Sequence, residues 1–298
     1  MGDSPLEGRV VVVTGAARGV GAALARELDR RGARLALLDH DGPALERTAA
    51  ALPNAALALD VDVSDYAALS EAAKTVRSRL GRPSVVVANA GIAEGGPFAL
   101  TEPATWRRVI DVNLTGSAQT ARAFLPDLVA TAGYHLQIAS LAAIGAVPMM
   151  SAYCASKAGV EAFTHALRAG VAHQGVAVGI AYLNWTGTDM IRDADRFPAL
   201  SELRGHMPAL TRRVSRVEVV AERLARAVES RSTAVYLPAW LRLVQAARAA
   251  VPPVVLRVSR RELSRLPGGE PLRSSGLLGA GGRADRAATR RRTGSRPE

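Results

Sequence analysis

The stretch Tyr153-Cys154-Ala155-Ser156-Lys157 holds one of only two lysines, Lys74 being the other, in a chain with 36 arginines. Almost everywhere that any positive charge suffices this sequence uses arginine, so position 157 asks for an ammonium in particular. A tyrosine and a lysine four residues apart project from one face of a helix. A phenol with a pKa near ~10 is a poor base at neutral pH. A neighbouring ammonium favours the phenolate and lowers that value. Such a tyrosine can take the proton of a hydroxyl group, or return one to a carbonyl oxygen. A bare pair at this spacing also serves as a helix-face packing contact, so its meaning depends on what stands around it.

A second chemical signal lies near the amino terminus. The apolar run 9–14 leads into "TGAARGVG", which supplies Gly15, Gly19 and Gly21 with Arg18 and Val20 between them. Glycines let the backbone turn tightly and let a pyrophosphate approach the next helix, whose free N–H groups and dipole attract anions. Asp39 closes the following apolar run, where a carboxylate can accept hydrogen bonds from an adenosine ribose. The same carboxylate would repel a 2′-phosphate, and His40 rather than an arginine follows it. A tight turn without ligand is the bland alternative.

These residues need a scaffold, and the chain alternates apolar runs with helical patterns. Strands are expected at 9–14, 34–39, 56–61, 84–89, 134–140, 176–183 and 234–238. Helices are expected at 20–31, 43–51, 65–80, 102–127, 151–173 and 217–230. Continuous apolar strands separated by amphipathic helices predict an α/β fold: a Rossmann-type, doubly wound parallel sheet of about seven strands, helices on both faces. Residues 189–216 read as a substrate lid after the sixth strand. The division expected is a catalytic domain over 1–240, an amphipathic segment over 241–258 and a basic, disordered tail over 259–298. The amphipathic stretch, broken at Pro252–Pro253, carries Leu241, Val244, Ala247 and Val251 at helical spacing. It reads as a core helix, a cover for the cleft or a membrane-surface contact.

Composition narrows the function. A single cysteine, Cys154, excludes a disulfide framework and a multi-cysteine zinc site, and the five histidines lack metal-ligand spacing. No metal is expected. No secretory leader is evident and the uncharged stretch 135–156 changes pattern midway, so a cytoplasmic protein is expected. The net charge is +11; eleven arginines against four acids fall from Arg257 onward. A basic tail can bind nucleic acid, but a solvated extension explains it as well, and no specific nucleic-acid partner is expected.

"TGxxxGxG", "NAG" at 89–91 and "YxxxK" at 153–157 together resemble the short-chain dehydrogenase/reductase family, in its compact-core branch, over residues 6 to 240. The resemblance implies hydride transfer between NAD(P) and an alcohol or ketone, with a catalytic group of Asn113, Ser140, Tyr153 and Lys157. Ser140 would hydrogen-bond the carbonyl oxygen; Lys157 would also hold the nicotinamide ribose, and Asn113 would support a water relay. It implies that Asn89, Ala90 and Gly91 brace the sheet beside the adenosine, that Asp62 and Val63 flank the adenine, and that Thr188 meets the carboxamide. Leu183-Asn184 stands where the family usually has Pro-Gly. Arg18 resembles the basic residue of NADP-preferring members, but Asp39 tips the expectation toward NAD. A homodimer or homotetramer is implied. Met190, Ile191, Phe197, Met207, Trp240 and Leu241 suggest an apolar substrate.

Overall fold

The computed structural model describes residues 4–205, 209–263 and 273–293. Seven parallel strands form one sheet: β1 (Val10–Thr14), β2 (Arg34–Asp39), β3 (Leu57–Asp60), β4 (Val85–Ala88), β5 (Tyr134–Ser140), β6 (Ala177–Leu183) and β7 (Ala234–Leu237), in the spatial order 3-2-1-4-5-6-7. The side chains of β1 alternate between two cores. Val11 and Val13 pack with Leu24 and Leu28 of α1 (Gly19–Asp29) and with Leu224 and Val228. Val10 and Val12 pack on the opposite face with Leu69 and Val76, and with Phe124 and Leu128. A strand buried on both faces needs apolar residues at every position, which is why these strands read as unbroken runs. The strand order reverses between β1 and β4, and the crevice outside their carboxyl ends is where such sheets bind ligands.

Helices α2 (Gly42–Ala50) and α3 (Tyr66–Leu80) follow β2 and β3. The segment read as one helix over 102–127 is three pieces: α4 (Pro103–Ile110), a π-turn at Asp111–Thr115 and α5 (Gly116–Ala130). α6 (Ser151–Val171) carries the Tyr–Lys pair, and α7 (Val217–Glu229) packs against α1. The expected lid contains short helices at Asp189–Ala194, Pro198–Gly205 and Ala209–Arg212.

Two further expectations differ from the structure. Pro252 and Pro253 do not break the amphipathic stretch; they lie in the first turn of the helix Val251–Leu263, where a missing N–H costs nothing. The interruption falls earlier, at the Arg248–Ala250 turn after helix Leu241–Ala246. The second difference concerns the tail. Gly276–Leu277 pairs antiparallel with Glu94–Gly95, and α8 (Gly279–Thr293) folds back over the sheet's carboxyl edge. Leu277 and Leu278 are buried, and Asp285, 1% exposed, is ion-paired with Arg108 of α4. Those contacts order a segment whose composition alone reads as disorder. Residues 264–272 and 294–298 of the expected tail lie outside the described residues.

Candidate active site

The glycine turn lies between β1 and α1. Gly15 has φ +65°, and a Cβ there would lie 2.7 Å from the Ala90 Cα. A Cβ on Gly21 would lie 2.1 Å from the Gly15 carbonyl oxygen, so the helix can approach the turn only with glycine at that position. Asn89 holds the turn from the next strand, its Nδ2 donating to the Thr14 and Gly15 carbonyls at 2.9 and 3.1 Å. The Thr14 hydroxyl accepts from the backbone N–H of Asn89 and of Ala90. α1 has no acid in its first turn and no side-chain cap, which leaves its amino end open to an anion. Thr188 covers Gly19 from the lid side.

Asp39 ends β2 with its carboxylate accepting from the N–H groups of Ala17 and Asp41 at 3.0 and 3.1 Å. It thus braces the glycine turn as well as facing the cleft. Arg18 is paired with Asp41. Asp62 pairs with Arg108 at 2.9 Å and accepts from Ser64. Burial pushes its carboxyl up, but the Ser64 hydrogen bonds and the Arg108 cation outweigh this and hold it below the usual range.

Across the cleft, Glu94 sets the start of α6. Its carboxylate, 1% exposed, accepts from the Ala152 N–H at 2.7 Å and the Tyr153 N–H at 3.2 Å. Burial raises its pKa despite those bonds. The Ser140 hydroxyl lies near the Tyr153 phenol and partly stabilises its ionised form, while it caps the short helix Leu141–Ile144 through the Ala142 N–H at 3.2 Å. One turn on, the Lys157 Nζ donates to the Ile138 carbonyl at 3.1 Å and lies 5.8 Å from the Tyr153 ring centroid. Burial lowers its pKa to about 8. Burial raises the Tyr153 pKa, and the Ser140 hydroxyl offsets this only in part; the expected depression counts the positive charge of a bound oxidised nicotinamide as well as the ammonium.

Asn113 is fully buried in the π-turn. Its Oδ1 accepts from the Ile92 N–H at 2.8 Å, while Nδ2 donates to the Ile92 carbonyl and the Ser156 hydroxyl, both at 2.9 Å. The extra residue of a π-turn lets a side chain leave the helix without breaking it. Asn113 therefore clamps the segment after "NAG" to α6, one residue from Lys157.

Every sequence-predicted cofactor residue except Gly21 lines one cleft, together with Ser140; Gly21 and Asn113 stand behind it. A cavity of about 60 Å³ adjoins Ser140 and Tyr153, walled by Val147, Met150, Met190, Ile191 and Leu278 among others. Phe197 packs in the same apolar cluster, whereas Trp240 and Leu241 pack in a different one; Met207 lies outside the described residues. Asn184 ties the end of β6 to the lid through the Thr211 carbonyl at 2.9 Å, in the place of the expected Pro-Gly. Glu94, Arg108, Leu278 and Asp285 escaped sequence reasoning. Among 36 arginines and a basic tail, none of them carries a local signal.

The open helix end fits the phosphates of a dinucleotide, and the half-buried Tyr153 phenol lining the same cleft can handle a substrate proton. This is the layout of a nicotinamide-dependent oxidoreductase. The chain belongs to the short chain dehydrogenase family, whose profile matches residues 9–198, and is an NAD(P)-dependent enzyme of the hydroxyl–carbonyl type. It is 33% identical over 185 residues to meso-2,3-butanediol dehydrogenase of Serratia marcescens, covering 62% of this chain and 74% of that protein. It is 35% identical over 201 residues to galactitol 2-dehydrogenase (L-tagatose-forming) of Cereibacter sphaeroides, covering 66% and 79%. The fold matches the crystal structure of a short chain dehydrogenase from Mycobacterium paratuberculosis bound to NAD, with TM-score 0.69 and 26% identity over 78% of this chain and 97% of that one. No helix among the described residues is long and apolar enough to cross a membrane.

Proposed function

We propose that the enzyme interconverts a small apolar secondary alcohol and its ketone, with NAD preferred over NADP. Tyr153 is the proton-transferring residue. The observation that carries this reading is the Tyr153 phenol, with Ser140 and Lys157 beside it, in the same cleft as the glycine turn.

When bound, the cofactor accepts or supplies the hydride. Gly15, Gly19 and the amino end of α1 would hold its phosphates; Asp39 would accept from the adenosine ribose, with Asp62 and Val63 beside the adenine. Asn89, Ala90 and Gly91 form the floor, Lys157 would donate to the nicotinamide ribose, and Thr188 would meet the carboxamide. Tyr153 gives its proton to the carbonyl oxygen in reduction and takes the hydroxyl proton in oxidation. Ser140 donates to the same oxygen and stabilises its developing charge. Asn113 fixes the Ile92 backbone and Ser156, and with them the position of Lys157.

Two features support the finer choices. The Asp39 carboxylate at the ribose end disfavours a 2′-phosphate, and Arg18 is already engaged by Asp41. The apolar cavity beside Tyr153 has about 60 Å³, roughly two water molecules' share of liquid volume. Oxidation of short secondary aliphatic and alicyclic alcohols with NAD and NADP tests the proposal. Turnover with NAD, lost in Tyr153→Phe, is expected. Retention of turnover in Tyr153→Phe would refute the role of the phenol, and tighter NADPH than NADH in a fluorescence titration would refute the cofactor choice.

A further inference from the structure

α8 and the ribbon before it form a wall of the cleft opposite the glycine turn. Leu278, Gly279, Gly281, Gly282 and Asp285 line the same space as Gly15, Asp39 and Asn89. The wall is pinned at several points: the Gly276–Leu277 pairing, the Gly279 N–H on the Asp193 carboxylate at 2.9 Å, and Arg283 on the same carboxylate. Arg108 donates to Asp285 through Nε at 3.0 Å and through its terminal nitrogen at 2.6 Å. The space left in the cleft is about 210 Å³, below the roughly 300–1,000 Å³ usual for ligand sites.

Among the described residues, carboxylates outnumber cations in the lining of the ribose end. Asp39, Asp62 and Asp285 line it with the Arg108 guanidinium, which donates to both Asp62 and Asp285, while Arg18 is held by Asp41. His40 stands between two of these carboxylates, Nδ1 3.5 Å from Asp39 and Nε2 3.7 Å from Asp285. We propose that Asp285, delivered by α8 from outside the matched family region, is a second cofactor-specificity residue that excludes a 2′-phosphate from the ribose end. The proposal rests on the NAD reading of Asp39. A phosphate monoester brings a charge of about −1.5 to −2 at neutral pH, and in a half-enclosed cleft a carboxylate repels it with little screening. Asp285 also occupies the Arg108 fork that could otherwise take a phosphate bidentately.

Full-length wild type, Asp285→Asn and Asp285→Glu are titrated with NADH and NADPH, following nucleotide fluorescence. Asn keeps the shape and an acceptor for Arg108 but not the charge. The ratio of NADPH to NADH dissociation constants should fall at least tenfold in Asp285→Asn, chiefly through tighter NADPH, and stay within about threefold of wild type in Asp285→Glu. An unchanged ratio in Asp285→Asn, equal weakening of both nucleotides, or an equal fall in Asp285→Glu would overturn the proposal. Ala284→Arg decides the case if Asp285→Asn loosens α8. Ala284 faces His40, Asp41 and Gly42 and leaves the Arg108 contact alone, so the added cation should tighten NADPH several-fold relative to NADH; no change would overturn the proposal. Asp39→Asn separates the two readings. If it leaves the ratio unmoved, the NAD reading of Asp39 fails; a ratio that responds to Asp39 but not to Asp285 removes only the present proposal.

Discussion

The Lys157 ammonium is 4% exposed, and burial alone brings its pKa from 10.5 to about 8. A cation whose folded pKa is depressed leaves the unfolded chain with more bound protons between pH 8 and 10.5, so this residue makes stability rise with pH across that window. Below pH 8 the fold carries the whole cost, about 3 kcal/mol. Lys157→Met should therefore be more stable than wild type at pH 7 by about 1–2 kcal/mol, after about 1–2 for the unbonded Ile138 carbonyl. The advantage should vanish above pH 10.5, and turnover should be lost. Urea midpoints at the two pH values read this out, and a less stable variant at pH 7 would show that the ammonium stabilises the fold. Lys157→Arg keeps the charge but puts a broad planar fork where a compact donor fits. Its turnover should drop on the order of 10²-fold with circular dichroism unchanged. The raised Tyr153 pKa keeps the phenol protonated at neutral pH, so ketone reduction should hold steady from pH 6 to 8 while alcohol oxidation climbs with pH. A pH-rate profile for each direction checks this; oxidation falling with pH would contradict it. Tyr153 and Lys157 were legible because both residue types are rare in this chain and stand at helical spacing. Glu94 was not, because its task is to cap a helix 58 residues away, and nothing local announces that.

At the scale of elements, the strands were legible because a strand buried on both faces must be apolar throughout, as "VVVVT" and "VVVA" are. The π-turn was not, since its extra residue leaves the apolar periodicity on either side almost undisturbed. It is nevertheless what aims Asn113 at Ile92. The junction of β1 and α1 offers a direct test. Gly21→Ala puts a methyl 2.1 Å from the Gly15 carbonyl oxygen, so α1 must shift outward. Overpacking of this kind costs about 1–3 kcal/mol. NADH affinity should fall at least tenfold, because the phosphates would meet a displaced helix end. Titration and thermal melts report the two effects, and wild-type affinity would show that the turn does not hold the cofactor. At Pro252–Pro253 the sequence marked a boundary correctly but gave it the wrong sense, since proline opens a helix as readily as it ends one.

Over the whole molecule, the tail was the least legible part. Its arginines and glycines match a solvated chain, and its ordering contact joins Arg108 to Asp285 across 177 residues. The wall it forms should slow the exchange of cofactor. Stopped-flow displacement of NADH should be slower for wild type than for Arg108→Ala, by tenfold or more, and equal rates would show that α8 opens freely. Assembly is expected from the family resemblance: light scattering at micromolar concentration should give a dimer or tetramer mass, and a single-chain mass would refute it. One consequence of the wall concerns the making of the protein. α8 is synthesised after every strand of the sheet, and protein domains begin to fold from the amino end as they emerge. The glycine turn, Asp39 and the Tyr–Lys pair are thus assembled while the cleft still lacks the wall that α8 supplies. A nascent chain can take up a dinucleotide through the open side before α8 arrives, and α8 then closes over a guest already seated.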